Sequence, residues 1–412
     1  MKIKEIKEFE KFESNEITFD EIYNIDLSKY SDQELSEYYK YCEKRQALLN
    51  TKQKVLKNAL NSLYGSLANP YFILFNRDIA SSITGNGRTF IRGLSQFFNK
   101  KFNEMLKINE NFVIYNDTDS VYLTIKPFVE KIIKAKFNNI SYQEMDYKTK
   151  NKFLDVLLKF IEKYLEPLID EYVEFYANGF NSFDPSVIKA KLEKIADRGL
   201  HIAKKKYAVR AIYNEGERLI KYPKISVTGL EVVRSSTPPF CKKYLKDAIP
   251  LIMDKTEKDI QKFIKKVKEE FIKADIDDIA RVSGVSNLNY QLINGKYKRF
   301  NEETNRYLTA PINSRAALLH NKLIDKFKLN NQFQKITEKD KIKYIFLKVP
   351  NIVDNNEVIG YLDKRFLEIT NLINYIDYNT MFEKFFLSPL KIILDTLEYK
   401  ITPENSSIGD WI

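Results

Sequence analysis

The segment Phe112-Val113-Ile114-Tyr115-Asn116-Asp117-Thr118-Asp119-Ser120-Val121-Tyr122-Leu123 places two carboxylates between two runs of apolar, aromatic and β-branched residues. Residues 112–115 and 121–125 are predicted strands, and Asn116-Asp117-Thr118 has the composition of a turn. The segment therefore predicts a β-hairpin with Asp117 and Asp119 at its tip. Two carboxylates this close repel each other unless a cation lies beside them. Mg²⁺ is a hard cation that prefers carboxylate and phosphate oxygens.

An exposed turn is the simpler explanation of Asn-Asp-Thr-Asp when it is considered alone. The pattern of a calcium-binding loop is absent, because no glycine and no further acid follow at the required spacing. The prediction of a metal site therefore depends on a second group of residues about fifty positions upstream.

That second group lies on a predicted helix over residues 34–63, which Ser31 and Glu34 would cap and which Gly65 and Pro70 would end. At the helical repeat, Lys54, Lys57, Asn61 and Tyr64 share one face. The opposite face is apolar and is predicted to pack; it comprises Val55, Leu56, Ala59, Leu60, Leu63 and Leu67. The polar face is either an ordinary solvated surface or a surface for a triphosphate and a nucleobase. Spacing alone favours the solvated surface.

Further elements follow along the chain. Residues 81–98 predict a helix with Phe90, Ile91, Leu94, Phe97 and Phe98 inward, residues 126–178 predict helix, and residues 208–213 predict a strand. Residues 235–239 mark a boundary, after which we predict helices over 240–253 (broken near Pro250), 256–274 and 381–397, and strands over 343–349 and 357–362. Just before the 208–213 strand, Lys204-Lys205-Lys206-Tyr207 combines cations with an aromatic ring. That combination suits phosphates with a base or sugar nearby, although a charge run is usually only a solvated face.

Composition narrows the class of protein. The 412 residues allow two or three domains, and the net charge of +11 favours a polyanionic partner, nucleic acid before membrane. Two cysteines and two histidines exclude a disulfide framework and a histidine-rich metal site. The sequence contains neither a signal-peptide pattern nor an apolar run long enough to span a membrane. We therefore expect a cytoplasmic protein without membrane contact, in the host cytoplasm if the protein is viral.

Segments along most of the chain resemble, in this order, motifs of family B DNA polymerases. Lys57-Asn58-Ala59-Leu60-Asn61-Ser62-Leu63-Tyr64-Gly65 matches their Lys-x-x-x-Asn-Ser-x-Tyr-Gly signature, and Asn116-Asp117-Thr118-Asp119-Ser120 resembles their Gly-Asp-Thr-Asp-Ser hairpin. Residues 192–198 and Lys204-Lys205-Lys206-Tyr207 are similar to the segment that carries their Lys-Lys-Arg-Tyr motif. Residues 229–238 and the C-terminal tail resemble the palm-to-thumb passage and the clamp-binding peptide of polymerases from T-even-like tailed phages.

The resemblance implies an α+β fold, namely part of a polymerase right hand. Residues 1–69 would be a fingers segment, residues 70–232 a palm with an antiparallel sheet, and residues 233–412 a mainly helical thumb with a clamp-binding tail. The implied activity is template-directed DNA synthesis, in which a nucleotide passes from a dNTP to a primer 3′-hydroxyl.

The resemblance also implies a role for each matched residue. Asp117 and Asp119 would be catalytic and would hold two Mg²⁺ ions, with Asp117 the essential ligand. Nucleotide-binding residues would be Lys54, Lys57, Asn61, Tyr64 and Gly65. Primer–template DNA would contact Lys204, Lys205, Lys206, Tyr207 and Arg234, and a sliding clamp would contact Ile408, Trp411 and Ile412.

Three departures from the family pattern qualify these roles. Asn116 stands where glycine is usual, but asparagine tolerates the positive φ that such a turn needs. Lys206 replaces arginine and keeps the charge without the bidentate geometry. The motif Asp-x-x-Ser-Leu-Tyr-Pro, which carries the first catalytic carboxylate, does not occur in the sequence. We therefore expect a second, N-terminal polymerase subunit to supply that aspartate and an exonuclease domain.

Three other classes of protein remain as alternatives. A non-catalytic DNA-binding or scaffold subunit on a degenerate polymerase fold is the nearest, although the intact Asp117, Asp119, Lys57 and Tyr64 argue against it. Reverse transcriptases place two adjacent aspartates in the hairpin, unlike Asp117 and Asp119. A membrane-surface protein would explain the charge but not the order of the motifs.

Overall fold

The computed structural model describes residues 29–179, 184, 188–293, 296–302 and 304–399, which include neither the N-terminal lead-in nor the predicted clamp-binding residues Ile408, Trp411 and Ile412. The described residues form two compact units, one within 29–97 together with 118–120, and the other within 98–117 together with 121–399. The helices are α1 Asp32–Leu67, α2 Arg77–Leu106, α3 Lys126–Lys136, α4 Tyr147–Phe160, α5 Glu166–Gly179, α6 Pro239–Asp254, α7 Glu257–Lys273, α8 Ile276–Ile279, α9 Ile312–Lys326, α10 Arg365–Ile369, α11 Tyr378–Phe382 and α12 Ser388–Asp395. The strands are β1 Val113–Asp117, β2 Ser120–Leu123, β3 Lys194–Ala203, β4 Lys206–Asn214, β5 Glu217–Arg218, β6 Lys224–Thr228, β7 Arg281–Gly284, β8 Gln291–Ile293, β9 Lys296–Asn301, β10 Arg306–Thr309, β11 Lys341–Phe346 and β12 Val358–Tyr361. This mixture of helices and antiparallel sheets confirms the predicted α+β class.

Helix α1 begins where the sequence predicts and ends later. Ser31 and Glu34 form a reciprocal capping box, as expected. The helix continues past Gly65 and ends at Leu67, between the two residues expected to mark its end, where the Ala68 N–H donates to the carbonyls of Gly65 and Ser66. One glycine costs a helix about 1 kcal/mol but does not stop it.

The apolar face of α1 is exposed, contrary to its predicted packing. Leu56 is 65% exposed and Leu60 is 71% exposed, and none of the described residues of α1 is buried. Periodicity identifies which face of a helix is apolar, but it cannot say what covers that face. We call this surface, formed by Val55, Leu56, Leu60 and Leu63, the α1 apolar stripe.

Aromatic packing holds the start of the hairpin. Phe102, near the end of α2, contacts Phe112 and Phe128 edge to face, with ring centroids 5.2 Å and 5.0 Å apart. The side chain of Asn99 accepts a hydrogen bond from the Phe112 N–H at 2.8 Å. The predicted inward residues of α2 agree, since Ile91, Leu94 and Phe98 are buried and Phe90 and Phe97 are partly buried.

The hairpin forms over β1 and β2, with Thr118 and Asp119 between the strands. Asn116 lies inside β1, and the residue with positive φ is Thr118, at 51°. The expectation that Asn116 would take a left-handed turn conformation is therefore wrong. The loop comprises Thr118 and Asp119 rather than residues 116–118, so Asp117 is the last residue of a strand.

A four-stranded antiparallel sheet follows, in which β4 pairs with β3, β5 and β6. Strand β4 covers the predicted strand over 208–213, but β3 was not predicted, because its charged residues obscure the alternating pattern. The pairing of β3 with β4 shifts register around Asp197. This bulge lets the Asp197 carboxylate face Arg210 on the neighbouring strand.

Arg210 joins β4 to β3 and to the end of α6. Its Nε and Nη2 donate to the two Asp197 carboxylate oxygens, both at 2.8 Å, and its Nη1 pairs with Asp254. The Asp197 carboxylate raises the pKa of Arg210 above its ordinary value, so the guanidinium remains charged. Both partners of the Arg210–Asp197 pair are mostly buried.

Replacing Arg210 with methionine is expected to destabilise the protein by about 3 kcal/mol, because it leaves a largely buried carboxylate without its partner. The midpoint of urea denaturation measures this change. Arg218→Met is the matched control, since Arg218 pairs with Asp155 at the surface, where a pair contributes less than about 1 kcal/mol. Equal losses of unfolding free energy for the two variants would contradict the conclusion that Arg210 stabilises the fold by linking β4 to β3 and α6.

The larger unit has a hydrophobic core that extends from Leu200 to Leu394 and crosses the predicted palm–thumb boundary at residues 232–233. The packed rings of Phe102, Phe112 and Phe128 are buried outside it. Helix α6 continues through Pro250, so the predicted break there is wrong. Residues 126–178 contain three helices rather than one continuous helix: non-helical residues 137–146 separate α3 from α4, and a short π-helical turn joins α4 to α5. Within the part of the chain that the structure describes, no helix is long and apolar enough to cross a membrane.

Two further three-stranded antiparallel sheets, β7–β11–β12 and β8–β9–β10, accompany these helices. Strands β11 and β12 correspond to the predicted strands over 343–349 and 357–362. The last predicted helix, over 381–397, is present as α11, a short π-helical turn and α12.

Candidate active site and nucleic-acid interface

Asp117 ends strand β1, and its side chain is 20% exposed. Asp119 follows in the turn and is exposed. The two carboxylates therefore project from the closed end of the hairpin, as the sequence predicts. The described residues contain no group of three or more His, Cys, Asp or Glu side chains that could hold a metal ion. Asp117 and Asp119 thus offer hard oxygen ligands of the kind that Mg²⁺ binds together with waters and phosphate oxygens.

The basic motif forms the turn of another tight hairpin. Ala203 pairs with Lys206 across β3 and β4, so Lys204 and Lys205 form the two-residue loop. Lys205, the second residue of this loop, has a φ of 59°, in the left-handed region that tight turns commonly use. Its Nζ lies 3.8 Å from the Asp117 carboxylate. The fold thus brings together an acid and a base from two separate predicted motifs.

Four rings connect the two hairpins: Tyr115 and Tyr122 from the first, and His201 and Tyr207 from the second. We call them the four-ring cluster. Their centroids lie 5.4–5.9 Å apart. His201 and Tyr207 are directly opposite each other across β3 and β4, and their rings stack. Such contacts hold side chains in fixed geometry.

Polar contacts within and beside the cluster fix it further. The Tyr115 hydroxyl accepts a hydrogen bond from the Lys205 backbone N–H at 2.7 Å, and the Tyr122 hydroxyl donates to that of Tyr207 at 3.2 Å. Burial lowers the pKa of His201, and its Nδ1 has no partner among the described residues. The ring therefore packs as a neutral imidazole.

Gly229 holds the basic turn from the other side. It follows β6, which pairs with β4 and places Thr228 opposite Tyr207. Gly229 has a φ of 67°, and a Cβ atom there would lie 1.8 Å from the Lys205 carbonyl oxygen. Only glycine permits this approach of two backbones. Lys205 is thus restrained at its N–H by Tyr115 and at its carbonyl by Gly229.

Replacing Tyr115 with phenylalanine keeps the ring and removes the acceptor of the Lys205 N–H. We expect about 1 kcal/mol of local stabilisation to be lost, and faster amide exchange in the peptide that contains Lys205. Hydrogen–deuterium exchange with mass spectrometry measures it. Tyr122→Phe is the matched control, because its hydroxyl contacts Tyr207 rather than the turn backbone. Equal increases in exchange for the two variants would contradict the assignment of the Tyr115 hydroxyl as the group that holds the Lys205 backbone.

The other predicted DNA contacts differ in their surroundings. Lys204 is exposed, and Lys206 and Tyr207 are partly buried. Arg234 pairs with Glu231 at 3.0 Å across a short 3₁₀ turn, and Arg281 lies 3.9 Å from the same carboxylate. Arg234 is thus held in place, about half exposed.

The predicted nucleotide-binding residues lie on α1 and are described within their own unit. Lys54, Lys57, Asn61 and Tyr64 share one exposed face, as their spacing predicts. Gly65 belongs to the same segment, and a Cβ atom there would meet open space among the described residues. The α1 face is therefore accessible to a ligand.

Sequence reasoning missed the positioning roles of Tyr115, Tyr122, His201 and Gly229. The first two were visible only as strand residues, since side-chain periodicity says nothing about which other hairpin a ring will meet. The role of Gly229 could have been suspected from the sequence, because a glycine just after a strand can mark a position where another backbone approaches closely. The partner in that approach could not be identified without the structure.

The chain is similar in sequence to known DNA polymerases. The chain is 25% identical to the DNA-directed DNA polymerase of Enterobacteria phage T4 over 385 residues, which is 91% of this chain and 40% of that protein. It is 28% identical to the corresponding polymerase of Escherichia phage RB69 over 378 residues, 89% of this chain and 39% of that protein. It is also 26% identical to the DNA polymerase delta catalytic subunit of Schizosaccharomyces pombe over 235 residues, 57% of this chain and 18% of that protein.

The chain spans about two fifths of the length of the two phage relatives. The model of DNA polymerase family B matches residues 34–169 and 173–397. These ranges include both hairpins, the exposed face of α1 and the core of the larger unit. The chain belongs to DNA polymerase family B.

Proposed function

We propose that this chain contributes the second half of a polymerase active site, for transfer of a nucleotide from a dNTP to a primer 3′-hydroxyl under the direction of a DNA template. The observation that carries the proposal is the position of Asp117, whose carboxylate lies 3.8 Å from Lys205 Nζ. A carboxylate that could bind a metal cation and an ammonium group that could bind a phosphate therefore lie side by side. The resemblance to polymerases from T-even-like tailed phages supports a replicative role.

Asp117 and Asp119 would hold Mg²⁺ together with oxygens from the substrates. When bound, two such ions supply charge for the attacking hydroxyl and for the leaving pyrophosphate. Lys57, assisted by Lys54, would bind the triphosphate of the dNTP, and Asn61 would lie on the same face. Tyr64 and Gly65 would line the nascent base pair, where an exposed ring and the absence of a side chain leave a flat surface.

Lys204, Lys205, Lys206 and Tyr207 would bind the primer–template duplex near the primer end. Their contacts would be mainly with phosphates, so binding would not depend on base sequence. Arg234 would extend this surface. The restraints on Lys205 from Tyr115 and Gly229 support the assignment, because a contact that recurs at every nucleotide added needs fixed geometry.

A second polypeptide would complete the site. The Asp-x-x-Ser-Leu-Tyr-Pro motif is absent from the 412 residues, so we propose that a separate chain carries that aspartate and an exonuclease domain. The α1 apolar stripe supports an additional contact of this kind, since exposed contiguous apolar surface often marks a protein interface. The C-terminal residues Ile408, Trp411 and Ile412 would bind a sliding clamp; loss of clamp stimulation after deletion of the last seven residues would test that part.

Primer extension tests the proposal. The chain is assayed with Mg²⁺ and all four dNTPs, alone and mixed with the product of the neighbouring upstream gene. We expect no synthesis by the chain alone and synthesis by the mixture. Synthesis by the chain alone would show that another carboxylate replaces the missing one and would remove the need for a partner. No synthesis in either case, with DNA binding retained, would favour a non-catalytic DNA-binding subunit.

A further inference from the structure

The small sheet β8–β9–β10 carries a surface that the proposed active site does not use. Phe300 and Tyr307 are directly opposite each other on β9 and β10, with ring centroids 5.2 Å apart. They are 45% and 57% exposed, respectively. Two large rings of one cross-strand pair thus face solvent.

Two lysines extend the same face. Side chains two residues apart on a strand lie on one side of a sheet, so Lys298 and Lys296 follow Phe300 along β9 at intervals of about 7 Å. Register places Gln291 and Thr309 opposite Lys298. We call the surface formed by Lys296, Lys298, Phe300 and Tyr307 the β9 platform. These strand positions carry no carboxylate; Glu302 stands just beyond the end of β9.

The opposite face of the sheet contacts the rest of the unit. Tyr297 is partly buried, and burial raises its pKa. Arg299, two residues along β9, is also partly buried, and its guanidinium lies 5.8 Å from the centre of the Tyr290 ring. Leu292 and Leu308, the cross-strand partners of Tyr297 and Arg299, are 54% and 41% exposed on this same face, and Lys298 on the β9 platform is partly buried. The β9 platform is therefore the face that carries the paired exposed rings, and the sheet has exposed residues on both faces.

We propose that the β9 platform binds single-stranded DNA, with unpaired bases stacked on Phe300 and Tyr307 and phosphates beside Lys296 and Lys298. A polyanion satisfies the two cations, and unpaired bases offer flat faces to exposed rings. Bases within a duplex are already stacked on their neighbours, so the rings favour an unpaired strand. This site is separate from the turn at Lys204 and Lys205, and it does not depend on nucleotidyl transfer by the chain.

Fluorescence anisotropy of the full chain with labelled oligo-dT tests the proposal, with a labelled primer–template duplex for comparison. The Phe300→Leu/Tyr307→Leu double variant keeps apolar bulk and removes both rings. We expect it to bind oligo-dT about tenfold or more weakly and to bind the duplex within about twofold of the parent. Phe175→Leu/Tyr222→Leu is the matched control, since both of those rings are exposed elsewhere; it should bind both DNAs like the parent.

Charge provides a second readout. In the Lys296→Gln/Lys298→Gln variant, the association constant for oligo-dT should fall less steeply with salt. The magnitude of the slope of log K against log salt should decrease by about 0.7 per lysine. Lys258→Gln/Lys262→Gln on α7 should leave this slope unchanged. Glu302→Gln should strengthen binding to oligo-dT slightly. The proposal is overturned if the parent does not bind oligo-dT, if the ring variant binds it unchanged, or if that variant loses both DNAs equally.

Discussion

Replacing Asp117 with asparagine is expected to reduce primer extension by the assembled polymerase about a thousandfold, which corresponds to roughly 4 kcal/mol. The substitution keeps the size of the side chain and removes the charge on which metal binding would depend. Binding to primer–template DNA should remain within about threefold, because the proposed phosphate contacts would come from the basic turn. The rate of single-nucleotide incorporation and the dissociation constant for DNA measure the two effects separately.

Asp247→Asn is the control for this substitution, since Asp247 is an exposed carboxylate on α6. It should leave both quantities unchanged. An Asp117→Asn polymerase with near-normal rates would reject the catalytic role of the hairpin. The scaffold alternative would then become the better explanation of the chain.

Replacing Gly229 with alanine is expected to weaken binding to primer–template DNA tenfold or more. The added Cβ would lie 1.8 Å from the carbonyl oxygen of Lys205, and a backbone group cannot rotate aside as a side chain can. The basic turn must therefore move, and the positive φ adds strain of about 1–3 kcal/mol. Anisotropy with labelled duplex measures the affinity, and urea denaturation measures the strain.

Gly216 offers a control that separates strain from displacement. It also has positive φ, at 92°, but a Cβ there would meet open space among the described residues. Gly216→Ala should lose stability while DNA binding stays close to that of the parent. If both alanine variants bind DNA normally, Gly229 does not position the basic turn.

Much of the fold followed from local pattern. The capping box at Ser31 and Glu34 located the start of α1, and β-branched residues located β1, β2, β11 and β12, because these signals depend only on near neighbours. Strand β3 was not predicted, since three of its ten residues are charged and Gly199 interrupts its apolar pattern. The continuation of α6 through Pro250 escaped as well, because tertiary packing overrode a local penalty.

The candidate site was predictable as a set of residues but not as an arrangement. Resemblance to known motifs identified Asp117 and Lys205, and the structure added their separation and their supports. Tyr115 and Gly229 act through backbone atoms of a residue distant in sequence. A sequence pattern does not show these tertiary contacts, because they depend on the register of β4 with β6 and on the packing of the two hairpins.

The restraint of Lys205 has a consequence for sequence variation. Its position is set through its backbone N–H and carbonyl, and neither contact involves the ammonium group. A different side chain could therefore be presented at the same point without refolding the turn. Protein engineers could use this: substitutions at residue 205 would change the chemistry offered to the DNA, whereas substitutions at 115 or 229 would change where that chemistry is delivered.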